Sequence, residues 1–212
     1  MRANPISDAL HFLTGSALFY VFDLLVIVSL VVAVLNLTRD PQQRTLKDLL
    51  SFALRFCIGC MWWQQSLWKL PPTYTDHPDG SGGLRYWVDK MVDGAAFQFH
   101  SDLVSGIVQP NFLLFAPIVY ATEVFIGAAL MTGTAVRLAG LLGAAMSINL
   151  WLGLYNTHGE WPWTYFFLIV VMVQFAIQRT GRSLGVDAML AGRREEGGEP
   201  RGLRGCILAV IT

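Results

Sequence analysis

The segment from Ala17 to Thr38 (ALFYVFDLLVIVSLVVAVLNLT) carries one charge, Asp23. As a helix rising about 1.5 Å per residue it covers the ~30 Å hydrocarbon core of a bilayer. Lipid admits only helices and closed barrels, because each backbone N–H and C=O must be satisfied internally. The segment is too long for a signal-peptide core of at most ~15 residues, only Arg2 precedes it, and no small-x-small site follows. Four more apolar runs follow: Asp48 to Leu70 before Pro71-Pro72, Phe112 to Gly133 with Pro117 inside, Leu138 to Asn156, and Pro162 to Gln178. The chain therefore reads as an all-α polytopic membrane protein, one integral membrane domain over 1–212 with five spans. Composition agrees: 54% of its 212 residues are hydrophobic and 14% charged, too apolar for a water-facing surface. Formal net charge is zero, which gives no whole-chain attraction to nucleic acid or other polyanions.

Basic residues set the expected orientation. Arg39, Arg44, Lys47, Arg137, Arg179, Arg182, Arg193, Arg194, Arg201 and Arg204 fall on one side, and Arg2, Lys69, Arg85 and Lys90 on the other. The N-terminus is expected outside and the C-terminus in the cytoplasm of a bacterial or archaeal inner membrane. Trp68, Trp151, Trp161 and Trp163 fall near the outer ends of their spans, where indole favours headgroups. The outer loop 73–111 is long. Within it Leu84, Trp87, Val88, Met91, Val92 and Ala95 recur at helical spacing, which predicts a short amphipathic helix lying on or capping the outer face. The tail 179–212 is cytoplasmic, its Gly/Arg/Glu-rich stretch 192–202 reads as flexible, and no internal repeat of the transporter type is visible.

Ionisable groups inside lipid need a partner or a water path, so each is a functional candidate. Arg55, Gly59, Trp62, Ser66 and Lys69 follow one another at steps of four and three and share a stripe of the second span; Tyr120, Glu123 and Gly127 share one on the third. Arg55 and Glu123 differ in depth by about 5 Å, within reach of an arginine side chain, which predicts an inward-facing ion pair. Such a pair can equally lock two helices without chemistry. Asp23 is expected to pair with Lys69 or to reach water at the outer mouth. Gly140, Gly143, Ala144 and Ser147 form a small-residue packing face.

Cys57 and Cys60 stand one turn apart in a C-x-x-C spacing, but a membrane helix disfavours thiolate, and the pair is read as small apolar packing residues. His77 with Asp76 and Asp79, and His100 with Asp102, offer weak metal-ligand sets in the outer loop. His158 is expected to face water or headgroups. No haem, flavin or iron–sulfur motif, phosphate loop, HExxH or Ser-His-Asp order is present in the sequence.

Leu54-Arg55-Phe56, Gly59 and Trp68-Lys69-Leu70 resemble the Arg…Gly…Lys-Leu helix of DoxX-like membrane proteins. Glu123-xxx-Gly127-xx-Leu130-xx-Gly133-xxx-Arg137 resembles that family's third element, and Gly181-Arg182-Ser183-Leu184-Gly185-Val186-Asp187 its Gly-x-x-Ser-Leu-Asp close. The likeness covers about residues 48–190, a four-helix bundle; the first span, the outer loop and the inserted Gly185-Val186 depart from it. It implies a subunit working beside quinone chemistry, as DoxD-type proteins do in thiosulfate:quinone oxidoreductase. On that reading Glu123, Arg55 and Lys69 are the catalytic set, and Trp62, Tyr120 and Asn149 surround a quinone headgroup. Quinone reduction needs donors to two carbonyl oxygens and a proton source in an apolar slot, while electrons must come from partner subunits or from Cys57 and Cys60. The alternative is a non-catalytic accessory or scaffold subunit of a larger respiratory or photosynthetic membrane complex. A small-molecule transporter is a third reading.

Overall fold

The computed structural model describes residues 4–75 and 82–197, and among these the ordered elements are all helical. Asn4 accepts the Ile6 N–H at 3.0 Å and Pro5 opens helix α1 (Pro5–Gly15), a helix that apolar periodicity alone did not suggest. Helix α2 (Phe19–Arg39) stops at Asp40-Pro41, where the Asp40 carboxylate caps the short 3₁₀ turn Pro41–Gln43. Helix α3 (Leu46–Ser66) starts from Thr45, whose hydroxyl oxygen accepts the Asp48 N–H at 3.2 Å. Next come α4 (Gly83–Asp93), α5 (Gln98–Leu103) with a π-type turn over Val104–Val108, α6 (Phe112–Thr132), α7 (Val136–Gly153), α8 (Pro162–Ile177) and α9 (Val186–Gly197).

Three described helices are long and apolar enough to cross a membrane: α2, α6 and α7, with mean hydropathies of 2.5, 1.9 and 1.3. The other two expected spans differ. Helix α3 has the length but carries Lys47, Asp48 and Arg55, and it ends at Ser66 rather than Leu70; α8 is apolar but only 16 residues long. On α2 the large side chains Leu24, Ile27, Leu30, Val31 and Val34 are exposed. Such a surface is stable against acyl chains and not against water, so the protein associates with membrane lipid. The loop 73–111 holds, among its described residues, two helices and a π turn where the sequence predicts one helix, and α9 makes the start of the stretch read as flexible, 192–197, helical. The remainder of that stretch, and Cys206 to Thr212, lie outside the described residues.

The chain divides into two compact units. One is formed by Met1–Trp63, Gly127–Val136 and Arg179–Thr212, the other by Gln64–Ile126 and Arg137–Gln178. In the first unit, α3 and the end of α6 cross at glycines. A Cβ on Gly59 would stand 2.7 Å from the Met131 backbone nitrogen, and one on Gly127 would stand 2.9 Å from that of Trp63. Only a hydrogen side chain permits this backbone approach. Gly59→Val is expected to cost about 3 kcal/mol, whereas Gly106→Ala, with no atom within 4 Å of the added Cβ, should stay within about 0.5 kcal/mol of wild type. Thermal melts of the two variants in detergent check the contrast; equal melting points would refute the crossing. Helix α2 is held in this unit by two buried polar side chains a heptad apart: Ser29 donates to the Met131 carbonyl at 2.6 Å, and Asn36 to that of Gly185 at 3.0 Å.

The second unit has its own core of Leu84, Val88, Met91, Val104, Phe112, Ala116 and Leu154. Helix α4 thus spends its apolar face inside the protein, as a cap, and not on lipid. Gly140, Gly143, Ala144 and Ser147 are all buried, with Gly140 against the α8 backbone at Ala176 and Gly143 against Met172, the close packing expected of that face.

Candidate functional site

Arg55, Gly59, Trp62 and Ser66, the members of the expected stripe that lie on α3, are all buried, and so is Lys69 just past the helix end. The partners differ from expectation. Arg55, with 0% of its surface exposed, donates to the carbonyls of Leu130 and Met131 (3.2 Å for the latter) and to that of Ser183 at 3.5 Å. These first two carbonyls belong to the last turn of α6, where intrahelical partners run out and the macrodipole is negative. Gly133, at φ +73°, ends that helix, and its N–H reaches back to the Ala129 carbonyl at 2.9 Å.

Asp187 does the complementary task. Its carboxylate accepts from the N–H groups of Ala135 (2.8 Å) and Val136 (3.2 Å), the positive entry of α7. Burial pushes the Asp187 carboxyl above the usual range, against the pull of these two N–H donors and of the Arg55 and Arg182 charges. Ser183 donates to Asp48 at 2.8 Å and the Leu184 N–H to Gln43 at 2.8 Å, which ties the return segment to the start of α3. A cation on one helix end and an anion on the next together hold the α6–α7 turn. Arg55 is therefore engaged through both terminal nitrogens by backbone acceptors within the first unit, its Nε alone lacking a partner among the described residues, and the expected Arg55–Glu123 ion pair is replaced.

Glu123 pairs instead with Lys69, in the second unit. The two side chains are 2% and 5% exposed as residues. Because α3 ends at Ser66, Lys69 sits on a short turn, its N–H bonded to the Ser66 carbonyl at 3.1 Å. Its Nζ lies 4.3 Å from the centroid of the Trp68 ring, whose face offers a second contact for the cation. One carboxylate oxygen of Glu123, Oε1, accepts a hydrogen bond from Lys69 Nζ; Oε2 is buried and has no hydrogen-bond partner among the described residues. Tyr120, one turn away on the same stripe and half-buried, has its ring 6.0 Å from that of Tyr74. The pairing of Lys69 with Asp23 considered from sequence is thus superseded by Glu123.

No family model, curated protein or solved structure matches this chain. The remaining candidates are placed by geometry alone. Trp62, in the first unit, is buried with its indole N–H unpartnered among the described residues. Asn149 is engaged elsewhere in the second unit: its Oδ1 is 3.2 Å from His100 Nε2, and its amide faces Met91 Sδ at 4.0 Å. His100, read from sequence as a partner of Asp102 on a metal, is buried beside Asn149, while Asp102 accepts from Gln98 at 2.9 Å. No group of three metal-ligating side chains occurs among the described residues; His77, Asp76 and Asp79 lie outside them. Cys57 is exposed and Cys60 partly so, both as free thiols, and His158 is exposed. An apolar groove of about 440 Å³ is lined by Pro117, Ile118, Ala121, Thr122, Phe125 and Leu142. By helical phase it lies on the opposite flank of α6 from Glu123.

Proposed function

We propose that this chain is an integral membrane subunit of a quinone-linked redox complex, DoxX-like in architecture, with Lys69 and Glu123 at the site where a quinone ring is bound and protons are exchanged. The observation that carries this reading is the buried Lys69–Glu123 pair with a free carboxylate oxygen. A helix pair needing only a lock would satisfy both oxygens or use none, since buried charge is costly in lipid. Lys69 offers a cationic donor to a ring oxygen, Glu123 a proton acceptor, and Trp68 an aromatic face beside the lysine, while Tyr120, one turn from Glu123 on the same stripe, packs on Tyr74. Arg55 has its carbonyl partners already, so its part is to position the α6–α7 turn. Electrons enter from a partner subunit, and thiosulfate or another small sulfur compound is the donor that the family resemblance favours. The topology that goes with this reading is five spans, with α3 and α8 crossing beside α2, α6 and α7, the N-terminus outside and the C-terminus in the cytoplasm of a bacterial or archaeal inner membrane.

The test is direct binding. A short-chain quinone, oxidised or reduced, titrated into the detergent-purified chain should quench tryptophan emission saturably, and Glu123→Gln should weaken binding of the reduced ring at least tenfold. Absence of saturable quenching by either form in wild type would refute the site. A second reading, the accessory scaffold, draws support from the Arg55–Asp187 clamp and from the exposed apolar face of α2. It requires quinone-independent copurification with a larger complex that falls apart in Glu123→Gln.

A further inference from the structure

The chemistry of the unpartnered oxygen narrows what the site accepts. An ionised carboxylate is acceptor-only, and so are both oxygens of a quinone; the hydroxyls of the reduced ring are donors. Glu123 Oε1 is occupied by Lys69, which leaves Oε2 as a buried acceptor that only a donor can satisfy. A quinone carbonyl brought to Oε2 would set two lone-pair oxygens against each other in a medium of low dielectric, whereas a quinol hydroxyl would complete the carboxylate's set. Tyr120, half-buried on the same stripe and packed at 6.0 Å on Tyr74, gives a flat aromatic flank for either ring and does not discriminate between them. Sites built to hydrogen-bond a ligand hydroxyl reject the analogue lacking it.

We infer that the Lys69–Glu123 site binds the hydroquinone form in preference to the quinone, with Glu123 Oε2 accepting one ring hydroxyl. This rests on the quinone-linked reading above and specifies which redox form the site holds. A quinol-selective site stabilises the product of quinone reduction, or takes up the substrate of quinol oxidation, and it raises the midpoint potential of the bound couple.

The experiment compares anaerobic binding of one short-chain quinone and of the same molecule reduced, each to the full-length chain in detergent, by tryptophan quenching. The quinol is expected to bind at least tenfold tighter, equivalent to about +30 mV on the two-electron midpoint of the bound couple. In Glu123→Gln the amide can present N–H₂ in place of the acceptor, so the preference should fall below threefold or reverse. Equal or tighter quinone binding in wild type overturns this inference and leaves the quinone-binding reading standing. Binding of neither form overturns both. Redox titration of the bound ring in wild type reads the same preference without a variant, so a poorly folding Glu123→Gln protein would not protect the inference.

Discussion

Arg55→Met should destabilise the protein by about 3–5 kcal/mol, the range for stripping one member from a buried charged arrangement. The guanidinium donates to Leu130, Met131 and Ser183 carbonyls, and none of these has water to fall back on at 0% exposure of the arginine. Met fills much of the volume and supplies no donor. Asp187 would then sit at the α7 entry with Arg182 as its remaining nearby cation, and its already raised carboxyl would be pushed further up. Arg55→Lys should recover only part of the loss, because a single ammonium does not span three carbonyls as a planar fork does. The coupling is testable in a cycle: Arg55→Met with Asp187→Asn should cost about 1–3 kcal/mol less than the sum of the single variants. Denaturant or thermal unfolding in detergent measures all four proteins, and strict additivity would mean that the two helix ends are capped independently.

The stripe logic that located Arg55 explains both what sequence made legible and what it did not. Spacing of four and three along one helix identifies a face, and the face of α3 is buried from Arg55 to Ser66. Pairing depends on something else, the register between two helices, and that is set where their backbones touch. Here the contact is between Gly59 and the Gly127–Met131 stretch, a relation no single-helix periodicity contains. Depth along the sequence makes Arg55 and Glu123 look like partners only if each span ends where its apolar run does. Helix α3 stops at Ser66, so Lys69 is freed to turn toward Glu123.

The return segment was legible as a string and not as a function. Gly181, Ser183, Gly185 and Asp187 stood out in the sequence, but their physical role comes from α7, whose first N–H groups take their cap from Asp187, 51 and 52 residues downstream. A Cβ on Gly185 would stand 2.9 Å from the Gly133 Cα, so the close fit of two glycines is what lets that carboxylate arrive. The amphipathic loop helix was likewise read correctly as a helix, while the surface that receives it was invisible, because Phe112, Ala116 and Leu154 come from elements far along the chain. His100 was missed as Asn149's partner for the same reason: the signal of a buried histidine is its surroundings, not its sequence neighbours.

Lys69→Met is expected to be the most damaging change in the second unit, at about 3–5 kcal/mol, because it leaves the Glu123 carboxylate uncompensated at 2% exposure. Glu123→Leu should cost less than Lys69→Met, since the lysine retains the face of Trp68 at 4.3 Å and a longer stem with which to reach water. The informative protein is the double variant, Lys69→Met with Glu123→Leu. Replacing a buried pair by apolar groups of similar size is commonly neutral or stabilising, so it should melt within about 1 kcal/mol of wild type and lose saturable quinone quenching altogether. If the fold tolerates the loss of both charges while binding does not, the pair is maintained for the ligand. If instead the double variant unfolds as readily as Lys69→Met alone, the pair is a structural lock, and the scaffold reading gains the ground that the redox reading loses.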